Sequence, residues 1–291
     1  MATGYGVAAI IMWGLLALLG TLTDRVPPFQ LLAICFGISA LLMLLRRAWI
    51  RQPLWQPPCL TVRVWLIGVA GLFGFHFCYF MALRLAPAIE VSLIAYLWPL
   101  LLSLMVARPG NRISALFGGL LGFVGVSVMM LAGGSLSLHS QALPGYLFAL
   151  ACAGIWSTYS WYLSKSPGHV DDIGWLSLAV ALLSWIAHLI LETGSWQLNL
   201  SAWLGLLLLG LGPVGGAFYL WDNGLKYGNR QLLASLSFGA PLISSIALAV
   251  AGLNPWSGEI VLALVLVMLG AGLTRRPIRQ SPVNNQPVTE D

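Results

Sequence analysis

The chain has 291 residues, of which 59% are hydrophobic and 8% charged, with a mean hydropathy of +0.87. A soluble domain carries about 25% charged residues, so this composition excludes soluble enzymes, nucleic-acid binders and disordered scaffolds. The net charge of +5 does not indicate nucleic acid, because Lys and Arg lie scattered between apolar runs as the positive-inside rule produces. The chain reads as an integral membrane protein.

A bilayer core takes about 20 apolar residues per helix. Cutting the chain at its charged, Pro-rich and Gly/Ser-rich breaks predicts ten spans, 5–22, 29–45, 65–84, 89–106, 113–132, 144–164, 173–191, 202–226, 231–251 and 259–274. The first positive residue is Arg25, so the first run is expected to be a retained span rather than a cleaved signal. Beyond Thr274 the tail is polar and rich in Pro, Asn and Gln, and residues 275–291 are expected to be a disordered cytoplasmic tail. Charge then sets the orientation. With the N-terminus inside, the inner loops and tail collect Arg46, Arg47, Arg51, Arg63, Arg108, Arg112, Lys165, Lys226, Arg230, Arg275, Arg276 and Arg279, leaving Arg25 and Arg84 outside. This predicts both termini in the cytoplasm.

Trp49, Trp55, Trp65, Trp175, Trp196, Trp203 and Trp256 fall near run ends, where indoles favour the headgroup zone; Trp185 and Trp221 stay ambiguous. The four cysteines, Cys35, Cys59, Cys78 and Cys152, lack metal-ligand spacing and read as small hydrophobes.

Two segments resemble each other. At an offset of 142, Phe77 falls on Tyr219, Ala82 on Gly224, Arg84 on Lys226 and Pro99 on Pro241, and Trp13-Gly14 resembles Trp156-Ser157 near the start of each half. Each half holds five spans, an odd number, so the second half enters the membrane from the opposite side. The expected fold is an all-α membrane protein of ten transmembrane helices. Residues 1–135 form the first five-helix repeat and 136–274 the second, inverted repeat, an arrangement that handles substrate near the midplane. The Trp-Gly of span one, the Leu-[Arg/Lys] ends of spans three and eight, and the Pro-Leu of spans four and nine resemble the drug/metabolite transporter superfamily, in its ten-helix EamA-like branch. The runs His76-Phe-Cys-Tyr79 and Tyr96-Leu-Trp-Pro99 resemble the aromatic amino acid exporters of that branch. Many members carry an acidic residue before the fourth-span proline, where this chain has Trp98; that departure counts against ion coupling there.

Ranking residues by depth puts Trp13, His76, Trp98, Trp156, Pro99, Pro213 and Pro241 near the span centres. Tyr96 flanks Trp98, and Tyr79 lies one turn from His76. The functional reading is a central cavity walled by Trp13, His76, Tyr79, Tyr96, Trp98 and Trp156, suited to a planar apolar substrate; the alternative is that these rings pack the bundle. His76 is also a candidate proton site, with a hydrogen-bonded structural histidine as the alternative. Pro99, Pro213 and Pro241 are candidate hinges, with Pro99 and Pro241 expected to free the carbonyls of Ala95 and Ser237; the alternative is that they only kink the spans for packing. Asp222 is expected to pair with Lys226, Glu90 to favour a helix N-terminus, and His188 to be structural. Gly118-x3-Gly122 and Gly270/Gly272 predict a close-packed scaffold or a dimer contact, and Gly212-x3-Gly216 a bend in span eight.

No phosphate-binding loop, H-E-x2-H or G-x-S-x-G run is present, so the chain is not expected to be an enzyme. No cofactor and no metal are expected, and no nucleic acid. The expected partners are the lipid bilayer and a small-molecule substrate, with the chain a monomer or weak homodimer in a bacterial inner membrane. The resemblance implies export of Phe, Trp and Tyr and related neutral amino acids by alternating access. Efflux of lipophilic cations such as viologens is the alternative, and a membrane enzyme or sensor a remote one.

Overall fold

The computed structural model describes residues 1–132, 139–166, 168–169, 171–194 and 196–274. The repeat boundary expected at 135/136 and the tail from 275 lie outside these residues. In chain order the helices are α1 (Ala2–Gly14), α2 (Leu16–Gly20), α3 (Pro28–Trp49), α4 (Val62–Leu85), α5 (Ala88–Ala95), α6 (Trp98–Val106) and α7 (Arg112–Leu131). They continue with α8 (Leu143–Leu163), α9 (Asp171–Leu191), α10 (Leu200–Leu211), α11 (Gly216–Tyr227), α12 (Arg230–Leu236), α13 (Gly239–Val250) and α14 (Gly258–Thr274). Among the described residues there is no strand. Six segments are long and apolar enough to cross a membrane: Pro28–Trp49, Val62–Leu85, Ala88–Val106, Pro109–Leu131, Asp171–Leu191 and Leu200–Tyr227. The pair α12–α13, bent by 41°, makes a seventh if it is one span. Each of the ten runs of the sequence falls on one helix or one broken pair.

Local chemistry sets the helix starts. Pro28 opens α3, where a missing N–H costs nothing. Thr61, Asn199 and Asn229 cap α4, α10 and α12 through their side-chain oxygens. Glu192 caps α3 from a distance: its carboxylate accepts from Phe29 N at 3.1 Å and Gln30 N at 3.2 Å. It also takes His188 Nδ1 at 3.0 Å and Arg84 at 3.4 Å. His188 therefore orients a helix cap, the structural role expected of it.

These contacts mark one end of the bundle, where Tyr146 also donates to Glu90. At the other end Arg46 meets Asp171 at 2.6 Å and Lys226 meets Asp222 at 3.0 Å. Gln231 there donates to Ser103 at 2.6 Å, and the Ser235 and Thr274 hydroxyls lie 2.9 Å apart. The ends of α3, α6, α11 and α14 thus lie with the starts of α9 and α12, and successive runs alternate in direction.

The closest helix pairs are α7 with α14, α3 with α9, α4 with α8, and α1 with α11. Small residues allow the first: a methyl on Gly118 would lie 2.6 Å from the Gly270 carbonyl, and one on Gly270 would meet the Gly118 carbonyl. Of the glycines expected as a scaffold or dimer contact, Gly118, Gly122 and Gly270 are packed within the chain, whereas a Cβ on Gly272 would meet nothing within 4 Å. The opposite face of α14 (Val261, Val265, Met268 and Leu269) is exposed and apolar, as a lipid-facing helix requires.

Gly270→Val should lower the thermal stability of the detergent-solubilised protein by about 1–3 kcal/mol through overpacking. Gly272→Val, two residues away where a Cβ would meet nothing within 4 Å, should leave it nearly unchanged. Equal melting shifts would contradict the close α7–α14 contact.

Candidate functional site

Three of the broken helices meet at the centre of the bundle. Between α5 and α6 the chain turns at Tyr96–Leu97, with Pro99 in the first turn of α6. Between α12 and α13 it turns at Ser237–Phe238, ahead of Pro241. The widest break is Gly212–Gly215 between α10 and α11, where Val214 N donates to Leu209 O at 2.9 Å and Ala217 N to Gly212 O at 2.8 Å. A Cβ on Gly215 would overlap the Gly210 carbonyl, so only glycine fits there. The helix is interrupted where the bend in this run is expected. One expectation needs correction: the Ser237 carbonyl is not left free by Pro241, because Ala240 N closes onto it at 3.2 Å in a tighter i+3 turn.

Trp13 of α1, His76 and Tyr79 of α4, Tyr96 in the first break, Trp98 of α6 and Trp156 of α8 all line a single cavity of about 420 Å³. Pro213 lines it too, whereas Pro99 and Pro241 are buried behind it. The cavity lies where four indoles pack. The Trp13 ring centroid is 6.4 Å from Trp98, 5.8 Å from Trp156 and 5.1 Å from Trp221, and Trp98 lies 6.1 Å from Trp156 and 6.0 Å from Trp221. Most of these pairs are edge-to-face, the geometry that ring quadrupoles favour. Trp13 Nε1 donates to the Pro213 carbonyl at 3.1 Å, tying α1 to the α10–α11 break.

From the indoles the cavity runs past Leu31 and Leu32 to Gly20, Thr23, Val26 and Pro28, at the bundle end that holds Glu192 and Arg84. Its other side is closed. Trp221 is 1% exposed and donates to Ser160 Oγ at 3.1 Å, and Tyr159 packs beneath Trp156 at 5.2 Å. One turn beyond Trp221 lies the buried Asp222–Lys226 pair, the ion pair expected from their i,i+4 spacing. His76 stands edge-on to Phe36 at 5.5 Å and to Phe218 at 6.2 Å, and its Nδ1 lies 2.7 Å from Leu72 O in its own helix. Nε2 is then the position an added proton would take. Tyr79 OH lies 3.4 Å from Ser92 Oγ. Among the described residues no cluster of His, Cys, Asp and Glu could hold a metal ion.

Depth along a run does not report which way a side chain faces, and it left out Phe75, Phe218 and Trp221. A usable signal existed: the 142-residue offset carries His76 onto Phe218 and Tyr79 onto Trp221. Phe75 adjoins His76 and packs on Trp156 at 5.2 Å.

Residues 2–131 match the model of the EamA-like transporter family. Over 285 residues the chain is 42% identical to the aromatic amino acid exporter YddG of Ancylobacter novellus, covering 94% of this chain and 96% of that protein. The chain belongs to the EamA-like transporter family. The aromatic amino acid exporter YddG of Salmonella typhimurium is 25% identical over 286 residues, covering 93% of this chain and 95% of its own. A crystal structure of a chain 40% identical superposes with a TM-score of 0.85, covering 94% of this chain and 97% of that one. As a member of the EamA-like family, the protein is a multi-pass membrane transporter with a small-molecule substrate.

Lys226→Met should destabilise this transporter by about 3–5 kcal/mol, because it leaves the Asp222 carboxylate buried and unpaired. The double variant Asp222→Asn/Lys226→Met should recover most of that loss in a melting experiment. A single variant as stable as its parent would show that the pair contributes nothing to closing this end.

Proposed function

We propose that this transporter exports the aromatic amino acids Phe, Trp and Tyr across a bacterial inner membrane by alternating access. It does so through ten spans arranged as two inverted five-helix halves, with both termini in the cytoplasm. The observation that carries the reading is the cavity itself. Its volume of about 420 Å³ falls in the range of small-molecule sites, many of its wall residues are aromatic, and it reaches from the indoles toward the end of the bundle at Thr23 and Pro28. The names of the relatives agree, being aromatic amino acid exporters.

Packing supports the repeat. Let α1–α2 exchange with α8, α3 with α9, α4 with α10–α11, α5–α6 with α12–α13, and α7 with α14. The contacts α7–α14 and α3–α9 then map onto themselves, α4–α8 maps onto α11–α1, and α8 on α5–α6 maps onto α1 on α12–α13, all of which occur. The correspondence extends to single residues. Ala82, Val91 and Ala149 form one buried cluster. Their counterparts Gly224, Leu233 and Gly6 form another, in which a methyl on Gly224 would lie 2.7 Å from Gly6 Cα.

Under the positive-inside orientation, the cavity faces outward and the indole floor with the Asp222–Lys226 pair closes the cytoplasmic side. The rings Trp13, His76, Tyr79, Tyr96, Trp98 and Trp156 then form the substrate wall, and the Pro213 break with the turns ahead of Pro99 and Pro241 provides the hinges. Efflux of lipophilic cations finds less support, since no Asp or Glu lines the cavity and Asp222 lies beyond its floor.

Trp98→Ala should lower phenylalanine and tryptophan flux in proteoliposomes at least about tenfold, the loss of two aromatic contacts and their burial, with membrane insertion unchanged. Parental flux would remove Trp98 from the substrate wall. If His76 carries the coupled proton, His76→Phe flattens the pH dependence of flux between about pH 5 and 8. A variant that keeps the parental profile excludes that role.

A further inference from the structure

An indole N–H buried away from water needs a partner. Two of the four clustered indoles have one inside the protein: Trp13 in the Pro213 carbonyl and Trp221 in Ser160 Oγ. Trp98 and Trp156 are 7% and 4% exposed, and among the described residues neither Nε1 has an acceptor. Neither is sealed off, in contrast to Trp175, whose Nε1 is enclosed without a partner. Both line the cavity. Their N–H groups are therefore left for whatever fills it.

His76 supplies the opposite polarity. The Leu72 carbonyl can only accept, so at 2.7 Å it fixes the proton on Nδ1 and leaves a lone pair on Nε2 of the neutral ring. Phe75 and Phe218 each touch both His76 and Trp156, so donor and acceptor stand one ring apart on the same cavity wall. No Asp, Glu, Lys or Arg lines the cavity. A ligand with a net charge would be left with that charge unpaired in an apolar site, which is costly.

We propose that the cavity holds the backbone of a zwitterionic amino acid with neutral groups. The indole N–H groups of Trp98 and Trp156 take the carboxylate, and Nε2 of His76 takes the ammonium. The claim rests on the export reading above and deepens it. The substrate must carry both backbone charges and an uncharged side chain.

The test is competition against labelled phenylalanine in proteoliposomes by phenylalanine, by phenylalaninamide (no carboxylate) and by 3-phenylpropionate (no ammonium). A hydrogen bond to a charged group corresponds to about tenfold or more in affinity. The wild type should prefer phenylalanine by at least that factor over either analogue. Trp98→Phe and Trp156→Phe keep a ring but lose the N–H. Each should shrink the phenylalanine/phenylalaninamide ratio by about tenfold and leave the phenylalanine/phenylpropionate ratio unmoved. His76→Phe should do the reverse. Ratios within one variant do not depend on how much of it folds. If the wild type carries phenylalanine and the ratios stay fixed, or both move together in every variant, the backbone assignment is wrong while the export reading stands. If the wild type does not carry phenylalanine, both fall.

Discussion

Hydrocarbon offers no hydrogen bonds, so every backbone N–H and C=O inside the bilayer must be paired within the chain or face a protein-lined cavity. That constraint decides where this chain can break its helices. The interruptions at Tyr96–Leu97, Gly212–Gly215 and Ser237–Phe238 all border one cavity, through Tyr96, Pro213 and Ala240. Each is closed by substitute bonds, from Leu97 N to Ile94 O, Ala217 N to Gly212 O and Ala240 N to Ser237 O, or by a side chain such as the Trp13 indole on Pro213 O. The same breaks make room for a cavity and supply joints about which helices could tilt. Hence the site and the means of opening it share one location.

The wall and the floor of that cavity are made of the same material. Trp13, Trp98 and Trp156 line the open side, and Trp221 seals the other from beneath the same cluster. Indole pairs at 5.1–6.4 Å hold by many weak contacts rather than by one strong bond. Such a seal can part and re-form without exposing a charge. The charged closures lie outside it, Asp222–Lys226 beyond the floor and Glu192–Arg84 near the rim, where Glu192 is also held by His188 and the first amides of α3.

Much of this was legible in the sequence because hydropathy and depth are one-dimensional quantities. The apolar runs became helices or broken pairs, and the four rings named from depth share one cavity with Tyr79 and Tyr96, named from their spacing to His76 and Trp98. Facing is not one-dimensional. Trp221 is ambiguous in the sequence because it lies between the end and the middle of its run, and the 142-residue offset from Tyr79 is the signal that places it with the cavity rings. Long-range satisfaction was invisible for a different reason. Nothing near Phe29 in the sequence announces that Glu192, 163 residues away, caps its helix. The Ser237 carbonyl was misjudged because a proline removes one donor but does not forbid a tighter turn from supplying another.

The most direct measurement is labelling by a membrane-impermeant thiol reagent in a cysteine-free background, with tags marking both termini. Leu31→Cys lies on the cavity wall and Leu163→Cys beneath the indole floor. The account predicts that Leu31→Cys reacts only from the face opposite both tags, that phenylalanine protects it, and that Leu163→Cys stays unreactive at rest. Labelling of Leu31→Cys from the face that carries the tags, or tags on opposite faces, would contradict it.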